Sequence, residues 1–137
     1  AGFGLTAWCD GALVGSVNFT PVTIGGRGGA MMLGPLAVAP RFKGQGIGRR
    51  LVEEGVREAR VRGAALVILV GDLPYYARMG FQRILEAQIR LPGPVAPERL
   101  LARELSEGGL ARYIGLVAGD PVRRDQPQML GARHAAA

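Results

Sequence analysis

The run Leu36-Ala37-Val38-Ala39-Pro40-Arg41-Phe42-Lys43-Gly44-Gln45-Gly46-Ile47-Gly48-Arg49-Arg50-Leu51 decides the fold. It begins inside an apolar segment, Met31 to Val38, that Pro40 ends and that reads as a buried strand. After the glycine turn, Ile47, Leu51, Val52, Gly55, Val56 and Ala59 recur at spacings of three and four, which predicts a helix from about Gly46 to Arg62 with one buried face. Glu53, Glu54, Arg57, Glu58 and Arg60 fall on its other faces, and Gly63 suits the position just past its end. Ala65 to Val70 is a continuous apolar run of the kind buried on both sides. Strand, helix and strand therefore make one right-handed parallel crossover, with Leu33–Val38 and Ala65–Val70 as parallel neighbours flanking the helix.

Working outward, Leu5–Asp10 and Leu13–Phe19 read as an antiparallel hairpin turned at Asp10-Gly11. Pro21 to Ala30, with four glycines and a proline, reads as a loop. On the other side, Asp72 is expected to cap a short helix around Pro74 to Met79. Phe81–Ile89 and Leu100–Leu105 read as two further strands across a proline-rich loop. The fold class expected is α/β: a mixed, twisted sheet with an N-terminal antiparallel hairpin and one parallel crossover. A single domain over 1–119 and a C-terminal tail over 120–137 complete the expected organisation.

Composition narrows the function classes. One cysteine, Cys9, allows no internal disulfide, so a reducing cytoplasm is the expected location. The longest strongly apolar run, Ala64 to Val70, is far short of the roughly 20 residues of a membrane helix, and no membrane partner is expected. A net charge of +6 raises the possibility of nucleic acid, but 16 of the 17 basic residues are Arg, as a GC-rich coding sequence would give. Of the aromatics only Phe42 lies among Arg41, Lys43, Arg49 and Arg50, so the stacking surface that a nucleic-acid binder needs is thin.

That basic cluster surrounds the glycine turn. A strand entering Gly44-Gln45-Gly46-Ile47-Gly48 and then a helix presents unpaired backbone N–H groups at the positive end of a helix dipole, which is an anion site. Arg49 and Arg50 in the first turn oppose the dipole, a cost that a bound anion would remove. The anion is not held as in a P-loop, because Gly48 is followed by Arg49-Arg50-Leu51 with no Lys-Ser/Thr. Nor is the spacing G-x-G-x-G, after a hairpin, that of a dinucleotide fold.

The Leu36–Leu51 stretch closely resembles the cofactor motif of the GNAT superfamily of acetyl-CoA-dependent N-acetyltransferases, in which Q/R-x-x-G-x-G/A opens the helix. Leu73-Pro74-Tyr75-Tyr76-Ala77-Arg78-Met79-Gly80-Phe81 resembles that family's second motif, ending Y-x-x-x-G-F, and the likeness spans roughly Leu5 to Leu105. The resemblance implies acetyl-CoA as acetyl donor, an amine acceptor and no metal. It implies that Leu36, Ala37 and Val38 hold the pantetheine arm at a splay between parallel strands. Lys43, Gly44, Gln45, Gly46, Ile47, Gly48 and Arg49 would bind the pyrophosphate, Lys43 standing where the family usually has Gln or Arg. Tyr76 would protonate the leaving thiolate, and an N–H near Val38 would stabilise the oxyanion. Tyr75 and Phe81 are read as core.

Family members normally carry a strand and two helices before the hairpin, so about 40 further residues are expected ahead of Ala1. Glu86, Glu104 and Asp120 are the carboxylates considered as base, none with a local signature. The alternatives to an acetyltransferase are a CoA-binding or sensor domain without catalysis and, behind it, a basic nucleic-acid module. A homodimer stays open.

Overall fold

The computed structural model describes residues 2–120 and 128–134. The hairpin consists of β1 (Phe3–Cys9) and β2 (Ala12–Ile24), antiparallel across Asp10-Gly11. β2 does not stop at Phe19. It runs on to a second tight turn and returns as β3 (Arg27–Val38), so the loop expected over 21–30 is a hairpin instead. Gly25 and Gly26 both take positive φ, 57° and 83°, the two-residue turn whose twist matches the flanking strands. Pro21 is tolerated because it sits at a seam on the other edge of β2. β1 pairs as far as Phe19, and β8 (Gly115–Gly119) takes over at Val22.

The crossover follows as expected: α1 (Ile47–Val61) connects β3 to β4 (Leu66–Val70), and β3 and β4 are parallel. The pairing, however, falls on Ala30–Met32 opposite Leu66–Ile68, not on Leu33–Val38. Beyond Met32 the register of β3 against β2 passes from Phe19↔Leu33 to Val17↔Leu36, so Gly34 and Pro35 together oppose Asn18. This bulge bends β3 away from β4. Leu69 and Val70 continue beside β7 (Leu100–Glu104) alone.

α2 (Leu73–Tyr76) and a 3₁₀ turn over Ala77–Met79 form the second short helical segment. Asp72 stands at its N-cap position without capping through its side chain, which pairs with Arg99 Nε at 3.5 Å. The strand expected over Phe81–Ile89 reduces to two short pieces, β5 (Gln82–Arg83) and β6 (Ile89–Arg90). Between them Gln88 N–H turns back to the Leu85 carbonyl and Ala87 takes φ 67°. Ile84 and Ile89 are buried while Leu85 is exposed, a five-residue spacing that no strand satisfies. Part of the expected tail supplies β9 (Gln128–His134), parallel to β1 at the sheet edge. The rest of it, 121–127 and 135–137, lies outside the described residues.

The order across the sheet is β5-β7-β4-β3-β2-β1-β9, with β8 bridging β2 and β6. One face carries α1 on a core of Phe3, Leu5, Val17, Phe19, Leu51, Val52, Val67 and Leu69. Leu66 and Ile68 point the other way, into a second core with Ile84, Ile89, Tyr113 and Val117. Gly55 is the close approach of α1 to the sheet, since a Cβ there would overlap the buried Phe19 ring. Gly55→Ala should therefore destabilise the fold by about 1–2 kcal/mol, the overpacking cost exceeding the roughly 1 kcal/mol gain in helix propensity. Urea unfolding checks this, and a stabilised variant would mean that Phe19 moves freely.

Candidate active site

β3 leads through one 3₁₀ turn, Pro40–Phe42, into the glycine turn, and Gly46 is the N-cap of α1 with φ 84°. Gly44 has φ 82°. A side chain in this left-handed region costs roughly 1–2 kcal/mol, yet a Cβ at either glycine would meet nothing within 4 Å. The glycines thus serve the backbone path and face open space. The first helical bond runs from Arg50 N–H to the Gly46 carbonyl, and no side chain caps the helix. The N–H groups of Ile47, Gly48 and Arg49 are consequently without helical partners. The first turn holds Arg49 and Arg50 and no acidic residue. Arg49 Nε reaches Glu53 at 3.0 Å, an exposed pair that contributes little.

The splayed end of β3 offers a second set of free backbone groups. Ala39 N–H donates to the Val14 carbonyl at 2.8 Å, and Ser16 pairs with Ala37. Antiparallel alternation then directs the main-chain groups of Ala37 toward β2 and those of Leu36 and Val38 away from it. On that outer side β4 pairs no further than Met32, and no other strand replaces it among the described residues. The N–H and C=O groups of Leu36 and Val38 therefore form a short, open strand edge.

The two tyrosines of α2 separate because neighbours on a helix point about 100° apart. Tyr76 turns inward onto Phe81, ring centroids 5.8 Å apart, and meets Tyr75 edge-on at 4.9 Å. Burial, then Tyr75, then Asp72 push the Tyr76 hydroxyl above its ordinary value, against an opposing pull from Arg99. Tyr75 is not core: it is 45% exposed, and a Cβ on Gly48 would run into its hydroxyl. Burial raises its hydroxyl too. α2 is only one turn long, and a single turn of helix cannot bury both rings.

These features meet in one cleft of about 790 Å³, within the 300–1,000 Å³ common for small-molecule sites. Leu36, Ala37, Val38, Lys43, Gly44, Gly46, Ile47, Gly48, Arg49 and Tyr76 all line it. Of the residues expected at the site, Gln45 alone does not. Phe42, Tyr75, Arg78 and Met79 line it as well. All four fall inside the two motifs, so position within a motif was the usable signal for them. None of Glu86, Glu104 and Asp120 lines the cleft, and the Glu104 carboxylate accepts from Leu110 N–H at 3.0 Å. Among the described residues no cluster of three or more His, Cys, Asp or Glu could hold a metal, and no helix is long and apolar enough to cross a membrane.

Residues 1–81, more than half the chain, match the Acetyltransferase (GNAT) family. The chain belongs to the GNAT acetyltransferase family. This GNAT chain is 34% identical over 116 residues to the uncharacterised N-acetyltransferase YhbS of Escherichia coli K12, covering 83% of itself and 70% of YhbS. The crystal structure of E. coli YhbS in complex with CoA matches with a TM-score of 0.75 at 30% identity, over 88% of this chain and 68% of that one. A GNAT acetyltransferase from Brucella melitensis, solved in complex with acetyl-CoA, matches at 39% identity and a TM-score of 0.55, over 72% of this chain and 64% of its own. The mixed curled sheet with few helices is the GNAT fold.

Proposed function

We propose that this GNAT N-acetyltransferase moves an acetyl group from acetyl-CoA to a primary amine by direct attack, in the cleft between the open edge of β3 and the start of α1. The observation that carries this reading is the meeting, in one cleft, of unpartnered helix N–H groups, an unpaired strand edge and a half-buried tyrosine. The complexes of E. coli YhbS with CoA and of the Brucella protein with acetyl-CoA support it.

The residues fit such a donor. Lys43 and the N–H groups from Gly44 to Arg49 neutralise a pyrophosphate where a Cβ would otherwise stand. Leu36 and Val38 pair with the amides of a pantetheine arm as a further strand would, while Ala37, its own groups turned to β2, supplies wall. The Val38 N–H stabilises negative charge on the carbonyl oxygen while the amine nitrogen bonds to the acetyl carbon. As the carbon–sulfur bond breaks, Tyr76 gives its hydroxyl proton to the sulfur, and the amine's surplus proton leaves to water. Tyr76 recovers its proton from solvent. Its raised pKa keeps the hydroxyl protonated at neutral pH. The lone Cys9, which allows no internal disulfide, supports a reducing cytoplasm as the location of this chemistry.

Release of free thiol from acetyl-CoA is the test, run against polyamines, aminoglycosides, peptide N-termini and lysine side chains. At least one amine should raise release well above hydrolysis and appear acetylated. Binding of acetyl-CoA with no release toward any amine would favour a CoA sensor instead.

A further inference from the structure

A second cleft, about 390 Å³, adjoins the first and shares Arg78 and Met79 with it. α1 contributes Glu53, Arg57 and Arg60 to its walls, and β7 contributes Arg103. Four guanidinium groups thus surround one concavity against a single carboxylate, and Glu53 already accepts from Arg49. Among the described residues Arg57, Arg60, Arg78 and Arg103 have no ion pair. Arg103 is held in place by its Nη1 donating to the Met79 carbonyl at 2.8 Å. Burial and the Arg60 charge push its guanidinium below the ordinary value, with Glu53 opposing. Four like charges gathered in a hollow against one carboxylate repel one another, and an anion in the hollow removes that cost.

The chemistry of the anion follows from what lies next door, and here the argument rests on the acetyl-CoA reading of the first cleft. From Gly48 to Arg57 the helix rises about 14 Å, and helical side chains lean back toward the N-terminus by part of a turn. Arg57 therefore stands within a sugar's reach of a pyrophosphate bound at that N-terminus, and Arg60 follows it along the same wall of the cleft. CoA carries a second phosphoryl group one ribose away from its pyrophosphate. We propose that this arginine cleft binds the ribose 3′-phosphate of CoA and so selects CoA over donors that lack it. The site lies away from the thioester, so it acts on affinity and KM and leaves kcat alone.

Calorimetric titration of the wild type and of the Arg57→Ala/Arg60→Ala variant, each with CoA and with 3′-dephospho-CoA at fixed ionic strength, tests this. The wild type should bind CoA at least about tenfold more tightly than dephospho-CoA, as charge-assisted hydrogen bonds imply. The double variant should lose that factor for CoA and keep its affinity for dephospho-CoA. Equal affinities in the wild type, or an equal loss for both ligands in the variant, overturn the 3′-phosphate site while leaving the acetyl-CoA reading intact. Binding of neither ligand to the wild type overturns both.

Discussion

Gly48→Glu should abolish acetyl-CoA binding and leave the protein folded. Gly48 lies in the first helical turn of α1, is buried and faces the cleft, with the Tyr75 hydroxyl against it and Val38 Cγ2 3.5 Å from where its Cβ would be. Tyr75 is 45% exposed and free to swing aside, so the new Cβ is accommodated. The carboxylate is not accommodated. It enters the space assigned to the pyrophosphate, where two unit charges 4 Å apart repel by about 4 kcal/mol at the effective dielectric of a protein surface. The expected loss of affinity is on the order of 10²-fold or more. Gly48→Ala separates charge from bulk and should lose far less. Calorimetry alongside circular dichroism reads both, and unchanged affinity in a folded Gly48→Glu protein would place the phosphates elsewhere.

Tyr76→Phe should lower kcat by on the order of 10²-fold, the low end for general acid catalysis, and barely change the affinity for acetyl-CoA. The ring stays packed on Phe81 and Tyr75, so only the proton is lost. The low end is appropriate. Burial holds the Tyr76 hydroxyl above its ordinary value near 10, while a free thiol titrates near 8.5, so the proton moves uphill. The same shift sets the pH dependence. The acid form is the active one, and because its pKa is raised the high-pH limb of kcat should lie above pH 10. In the Phe variant that limb should vanish. A variant with normal kcat would demote Tyr76 to packing and make water or the acceptor the proton source.

Much of the site is legible in the sequence because it is local. The period of Ile47, Leu51, Val52, Val56 and Ala59 marks the buried face of α1, and the glycines before it mark its entry. What escapes depends on partners distant in sequence. Glycine-rich 21–30 reads as a loop because the strand signal of β2 comes from pairing with β3 and β8. β8 and β9 owe their existence to β2 and β1 in the same way. The Phe81–Ile89 strand fails where Gln88 Nε2 bonds the carbonyls of Leu110 and Tyr113 and ties the chain to a later segment. Tyr75 looks like core by composition, and only the length of α2 shows that one of two adjacent tyrosines must face out. Arg103 lies far along the chain from Arg57 and Arg60 and joins them only once β7 is in place.

The proposed function puts acetyl-CoA in one cleft, from the open edge of β3 to the start of α1. Titration of the ¹⁵N-labelled protein with acetyl-CoA, followed through backbone amide shifts, tests it most directly. The largest changes should fall on Leu36, Val38, Gly44, Gly46, Ile47, Gly48 and Arg49, with Ala37, whose amide is bonded to β2, moving least among its neighbours. Changes gathered instead on the β1–β9 edge, or no change at millimolar acetyl-CoA, would contradict it.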